Sequence, residues 1–172
     1  LQSFVFMPVF GLNNGTVPII AYNYGAGKPD RIMGTLKLAA MYAVTIMLIG
    51  LAVVQLIPDK LLMIFSASDT MLSIGIPALR TISLSFLFAG FSIVCSSMFQ
   101  ALGHGTLSLW ISVFRQLVVL LPVAFVFAKL GGLHVVWFAF PIAEVFAIIF
   151  SAVCLGYVYR KEILPLKARQ EN

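Results

Sequence analysis

Long apolar stretches separated by short polar links constrain this chain more than any other feature. An α-helix needs about 20 apolar residues to cross the roughly 30 Å hydrocarbon core of a bilayer. Hydrophobic residues make up 61% of the chain and charged residues only 10%, whereas soluble domains carry about a quarter charged. We predict an all-α, polytopic transmembrane bundle over residues 1–160, followed by a cytoplasmic tail at 161–172. The predicted spans cover residues 4–26, 34–57, 71–101, 107–128 and 135–159.

Lysine and arginine are distributed unequally between the two ends of these spans. The end shared by the first link and the C-terminus carries Lys28, Arg31, Lys37, Arg160, Lys161, Lys167 and Arg169. The opposite end carries Lys60 and Lys129. Because positive residues concentrate on the cytoplasmic side of a membrane, the pattern predicts a multi-pass protein of the plasma membrane with a cytoplasmic C-terminus.

The first span contains many residues that weaken or open a helix. On a helical wheel, its prolines and glycines fall on one side together with Tyr22: Pro8, Gly11, Gly15 and Pro18. The glycines predict close approach of another helix, and the prolines predict bends.

The opposite side of the first span carries Asn13, Thr16 and Asn23, and these amides need partners or water. Two interpretations remain open. The helix is either kinked and tightly packed through interhelical amide bonds, or it bends during a transport cycle and lines a wet cavity. Under the second interpretation, Asn13, Asn14, Tyr22 and Asn23 are candidates for the transport path.

The third span carries a polar stripe. Thr81, Ser85, Ser92 and Ser96 fall within a narrow arc of the helix, and Gln100 extends it. The hydroxyls could bond to carbonyls of their own helix, or the stripe could face the interior of the bundle. Ser85, Ser92, Ser96 and Gln100 are therefore further candidates for the transport path.

Three charged residues lie within the predicted spans: Arg80, Arg115 and Glu144. Since an unpaired charge at the bilayer centre costs about 2.5–3.5 kcal/mol, these side chains are expected to face inward and pair. Counting from the predicted span ends places Arg80 and Glu144 at similar depth, roughly 14 Å at 1.5 Å per residue. We predict Arg80 as the partner of Glu144, with Arg115 in reserve. The pair is either static or releases Glu144 for protonation in a transport cycle.

Motifs for catalysis or metal binding are missing from the sequence. It contains no Cys-x-x-Cys, no His pair at metal spacing, no His-Glu zinc motif and no Ser-His arrangement,. Cys95 and Cys154 lie in apolar runs and are expected to be buried thiols. We predict no catalytic residues, metal site, cofactor or nucleic-acid partner.

Several segments resemble a known transporter family. "FVFMPVFGLNNGTVPIIAYNYGAGKPDRI" resembles the eighth helix and following link of multidrug and toxic compound extrusion (MATE) transporters of the bacterial type. "IPALRTISLSFLFAGFSIVCSSMFQALGHG" is similar to their tenth helix. "FRQLVVLLPVAFVF" and "GGLHVVWFAFPIAE" are similar to their eleventh and twelfth.

The resemblance implies two six-helix lobes that rock to alternate access. It also implies export of small, amphipathic organic cations in exchange for H⁺ or Na⁺, in a lipid bilayer. This chain would be most of the C-terminal lobe, and the N-terminal lobe would be its partner. Some members carry an acidic residue in the tenth helix, but residues 71–101 contain no Asp or Glu. Coupling would then fall to the other lobe or to Glu144.

Two alternative functions remain from the sequence. The first is a flippase of lipid-linked saccharides from the same superfamily, which would favour a charged cavity. The second is a membrane scaffold subunit without transport activity, which would have no use for the Asn, Pro and Arg features of these spans.

Overall fold

The structure is a computed structural model that describes residues 2–66 and 68–170, except for the side chains of residues 133, 134 and 170. Its described residues form helices and short turns without strands. The helices are α1 (Gln2–Gly25), α2 (Pro29–Leu56), α3 (Pro58–Met63), α4 (Asp69–Ser83), α5 (Phe86–Ala101), α6 (Gly105–Val113), α7 (Leu121–Gly131), α8 (Leu133–Val136), α9 (Ala139–Val158) and α10 (Leu164–Gln170). The π-helical segments Phe114–Leu120 and Tyr159–Ile163 join α6 to α7 and α9 to α10.

The described residues contain four continuous helices long and apolar enough to cross a membrane: Gln2–Gly25, Pro29–Leu56, Gly105–Gly131 and Ala139–Arg169. A fifth span results if α4 and α5, which meet at a bend of 51°, cross the membrane together. Large apolar side chains such as Trp110, Phe125 and Ile149 are exposed on the outside of the bundle, as lipid contact requires,. The predicted all-α transmembrane bundle is confirmed.

The second observed span begins at Pro29 instead of residue 34, and three further spans also differ from the prediction. The third span is two helices instead of the single segment 71–101, the fourth is longer than 107–128, and the fifth begins at Ala139 instead of residue 135. The predicted tail at 161–172 continues the last helix as far as Gln170, and residues 171 and 172 lie outside the described residues.

Hydroxyl and amide side chains cause the bend between α4 and α5. Ser83 Oγ donates to the carbonyl of Arg80 (2.9 Å), and Ser85 Oγ donates to the carbonyl of Ile82 (2.6 Å). Gln55 on α2 donates to both the Arg80 carbonyl (2.9 Å) and Ser83 Oγ (3.0 Å). Side chains that take up backbone carbonyls compete with the helical ladder and bend it.

Both π-helical segments precede a proline by two residues. Pro122 follows Leu120, and Pro165 follows Ile163. A proline inside a helix lacks an N–H, and its ring clashes with the carbonyl four residues earlier. Those carbonyls, of Val118 and Lys161, lie within the π segments, where the wider helix accommodates the clash.

The core of the bundle forms where α2 and α5 cross, with α1 and α9 packed against it. Met47, Phe86, Met98 and Phe99 are fully buried there. Gly90 on α5 is a site of close backbone approach, because a Cβ at this position would lie 3.2 Å from the backbone of Ala43 on α2.

No helix among the described residues makes the close approach that is predicted at Gly11 and Gly15. Both glycines are exposed, and a Cβ added at either would meet nothing within 4 Å. Helix α1 contacts α2 and α5 through the opposite face, which carries the asparagines. It also continues as one helix through Pro8 and Pro18.

The first link and the C-terminal helix lie at the same end of the bundle. Lys167 Nζ lies 3.8 Å from Asp30 Oδ1 at the start of α2. His104, in the link between α5 and α6, pairs with Glu162 in the second π-helical segment. The charged residues around the first link and those of the C-terminal helix therefore lie on one side of the bundle.

Candidate functional site

A cavity of about 310 Å³ opens between α1, α5 and the fourth span. Its lining combines amides, hydroxyls, one guanidinium, aromatic rings and aliphatic side chains. The lining residues are Phe6, Phe10, Asn13, Asn14, Val17, Ser92, Ile93, Ser96, Ser97, Gln100, Ser108, Ile111, Ser112, Arg115 and Ala147.

Helix α1 contributes amides and aromatic rings to the cavity. Asn13 is only 7% exposed, and its Oδ1 is buried without a hydrogen-bond partner in the described structure. An unpaired buried acceptor is costly, and the Asn13 side chain that carries it belongs to the cavity wall. Asn14 lies beside it on the wall, and Phe6 and Phe10 supply apolar surface.

Helix α5 contributes the C-terminal part of the predicted polar stripe. Ser92, Ser96 and Gln100 all line the cavity, as their shared helical face predicts,. Gln100 Nε2 donates to Ser108 Oγ on α6 at 2.9 Å. The Ser92 hydroxyl is 3.4 Å from the carbonyl of Phe88 in its own helix.

The fourth span contributes a polar row of which the sequence analysis identified only Arg115. Ser108, Ser112 and Arg115 line the cavity at intervals of four and three residues. That spacing places them on one helical face, and it was the available signal. Ser112 Oγ donates to the carbonyl of Ser108 at 3.1 Å.

Arg115 forms an ion pair with Glu144, and this corrects the predicted pairing with Arg80. Arg115 Nη1 lies 2.9 Å from Glu144 Oε1. Val119 and Leu120 pack against Ala139 and Ala143 in one apolar cluster, so the start of α9 is level with the end of the π segment.

Counted from that common level, Arg115 and Glu144 both lie roughly 6–8 Å along antiparallel helices at 1.5 Å per residue. The depth predicted from the sequence was counted from residue 135. It also assumed that neighbouring helices end at the same level in the membrane. Arg80 is exposed on α4, and its guanidinium has no ion-pair partner among the described residues.

Besides Arg80, four of the predicted transport-path and charged candidates lie away from the cavity. Tyr22 is 75% exposed on the outer face of α1. Asn23 is buried, but its Nδ2 donates to the carbonyl of Ile19 in its own helix at 2.8 Å. Ser85 belongs to the bend. Glu144 lies behind the wall and reaches the cavity only through Arg115.

The chemistry of the cavity is that of binding. Its polar groups orient a ligand and its rings provide apolar contact, which is the usual composition of a small-molecule site. Within the described residues, no group of three or more His, Cys, Asp or Glu could hold a metal ion.

A family model described as MatE matches residues 1–126. The chain belongs to the MatE family. Multidrug export protein MepA of Staphylococcus haemolyticus is 29% identical over 168 residues, which cover 98% of this chain and 36% of that protein. Its namesake from Staphylococcus saprophyticus is 30% identical, with 98% of this chain and 37% of that protein covered.

Solved MATE structures share the same fold. The MATE multidrug transporter DinF-BH, in complex with rhodamine 6G, is 31% identical with a TM-score of 0.83 over 94% of this chain and 36% of its own. An outward-facing multidrug resistance MATE transporter is 27% identical with a TM-score of 0.84 over 97% of this chain and 37% of its own. The predicted family is confirmed, and the chain spans about 36% of the length of the relatives that it matches.

Proposed function

We propose that this MatE chain is the C-terminal lobe of a bacterial multidrug efflux antiporter, which exports amphipathic organic cations in exchange for H⁺ or Na⁺. The observation that carries this proposal is the cavity. It places the amide side chains of Asn13 and Asn14 and the rings of Phe6 and Phe10 around one space. An aromatic ligand with hydrogen-bond donors fits this combination of ring contact and polar acceptor.

The other wall of the binding site would come from the N-terminal lobe of the same protein. Drug-sized ligands occupy sites of about 300–1,000 Å³ that bury most of the ligand, and the cavity of this chain, about 310 Å³, is open on one side. The charge distribution supports a plasma-membrane orientation in which the end shared by Asp30 and Lys167 faces the cytoplasm,.

Export would follow from alternating access. Two lobes that rock against each other expose the same site first to one side of the membrane and then to the other. A coupling ion drives the cycle if it and the drug favour different arrangements or exclude each other. The cavity does not support the two alternatives. A carrier of lipid-linked saccharides would favour a charged cavity, but among the described lining residues only Arg115 is charged. A scaffold subunit needs no cavity.

Two asparagines on the same face of α1 provide the test. We expect Asn13→Leu, in the full-length transporter, to raise the rhodamine 6G concentration for half-maximal efflux about 2–10-fold, the range of one lost hydrogen bond. Asn23→Leu is the matched control, because the Asn23 amide bonds within its own helix. Efflux from proteoliposomes gives the measurement. Equal effects of the two substitutions, at equal expression, would remove the cavity from the transport path.

A further inference from the structure

The charge of the cavity wall depends on a carboxylate that lies outside the cavity. Arg115 lines the cavity, and 30% of its side chain is exposed. Glu144 is only 12% exposed and neutralises Arg115 through a single hydrogen bond. Its second oxygen, Oε2, is buried without a partner in the described structure. One proton on Glu144 would therefore change the charge presented to a ligand without touching the ligand.

Few other titratable groups surround this pair. Helix α9 packs against α4, α5, α6, α7 and the first π-helical segment. Helices α5 and α6 contain no Asp, Glu, Lys or Arg, and α5 contributes the buried thiol of Cys95. Helix α4 carries Asp69 and Arg80, and Lys129 on α7 lies over the ring of Phe125. Among the described residues, Arg115 is the ionic partner of Glu144.

We propose that Arg115 and Glu144 couple proton binding to cation release by controlling the charge of the cavity wall. With Glu144 ionised, the pair is neutral overall and the cavity admits an organic cation. When Glu144 takes up a proton from water, Arg115 keeps its charge without compensation and repels the cation. Proton and cation then exclude each other without sharing a carboxylate. This inference rests on the proposed efflux function and assigns its coupling to this pair.

Two forms of one dye distinguish this mechanism from a purely structural pair. Rhodamine 6G is a cationic ester, and its free acid carries the same rings with a carboxylate in place of the ester. In the full-length transporter, Glu144→Gln mimics the protonated state and leaves Arg115 unpaired. We expect it to weaken equilibrium binding of the ester about tenfold, the size of one like charge acting over roughly 10 Å at an effective dielectric near 20. Binding of the free acid should be unchanged or tighter, because its carboxylate can pair with Arg115.

The double variant Arg115→Gln with Glu144→Gln removes both charges and should restore ester binding to within about twofold of the wild type. Arg80→Gln is the matched control, since Arg80 is a span arginine away from the cavity. Fluorescence polarisation between pH 5 and 8 gives the second readout. Ester affinity of the wild type should fall as the pH falls, while that of the double variant stays flat.

The outcomes separate the two proposals. Failure of the wild type to bind or export rhodamine 6G would refute the efflux function itself. With wild-type export intact, equal ester binding by the wild type and Glu144→Gln would overturn the coupling role. If Glu144→Gln does not fold, the double variant still tests the coupling role. Ester binding by the double variant that depends on pH as steeply as in the wild type would also overturn that role.

Discussion

Gly90→Ala tests the packing at the centre of the bundle. A Cβ at this buried position would lie 3.2 Å from the carbonyl carbon and oxygen of Ala43, and 3.2 Å from Met47 Cγ. Non-bonded carbon atoms prefer about 3.5–4.0 Å. The Met47 side chain can move, but the backbone of α2 cannot move without displacing the rest of the core, so α2 and α5 must separate by a few tenths of an ångström.

Overpacking a well-packed core costs about 1–3 kcal/mol, while Ala gains up to about 1 kcal/mol over Gly in helix propensity. Gly156→Ala separates these two contributions. Gly156 lies within α9, is exposed, and a Cβ there would meet nothing within 4 Å. The difference between the two variants therefore reports the clash alone, and we expect Gly90→Ala to be less stable by about 1–3 kcal/mol.

Thermal unfolding of the full-length transporter in detergent measures this difference. For proteins of 150–250 residues, 1 kcal/mol shifts the melting temperature by about 2–4 °C. The full-length transporter is larger, so we expect the melting temperatures of the two alanine variants to differ by a few degrees. Equal melting temperatures for Gly90→Ala and Gly156→Ala would show that α2 and α5 are not in the close contact that the structure describes.

Two further predictions concern completeness and the bend. The chain alone, reconstituted in liposomes, should not export rhodamine 6G, because alternating access needs both lobes; dye export by the isolated chain would contradict the two-lobe proposal. Gln55→Leu should straighten the bend between α4 and α5 and destabilise the protein by about 1–3 kcal/mol, since Ser83 and the carbonyl of Arg80 lose a donor,. The distance between spin labels on α4 and α5 measures whether the bend straightens. An unchanged distance would show that the serines alone maintain the bend.

Within an unbroken helix, periodicity was sufficient to predict which residues share a face, but it failed for Ser85, which lies at the bend. Asn13 and Asn23 are both buried on α1, and Ser92, Ser96 and Gln100 lie together on α5. These predictions needed only a regular 3.6-residue repeat, which both helices keep. The repeat does not reveal what a face meets. Asn13 opens onto the cavity while Asn23 bonds to its own helix, and that difference depends on where α5 and the fourth span lie.

Glycines show the same dependence on tertiary structure. The spacing of Gly11 and Gly15 suggests a close contact that no described helix makes, whereas one close contact with a neighbouring backbone is at Gly90, which has no small residue four positions away to mark it. Close approach is a property of two helices, and a spacing within one helix specifies only half of it.

The charged pair shows why depth along a helix could not be counted from the sequence. The count required the correct start of each span, a constant rise per residue and neighbouring helices that end at the same level. Residue 135 precedes the true start of α9 by four residues, or roughly 6 Å at 1.5 Å per residue,. Helix α7 also extends past the level at which Val119 and Leu120 meet Ala139 and Ala143. Together these offsets exchange the predicted partner Arg80 for Arg115. Because Arg115 lines the cavity and Arg80 does not, the corrected pairing links Glu144 to the site where a ligand would bind.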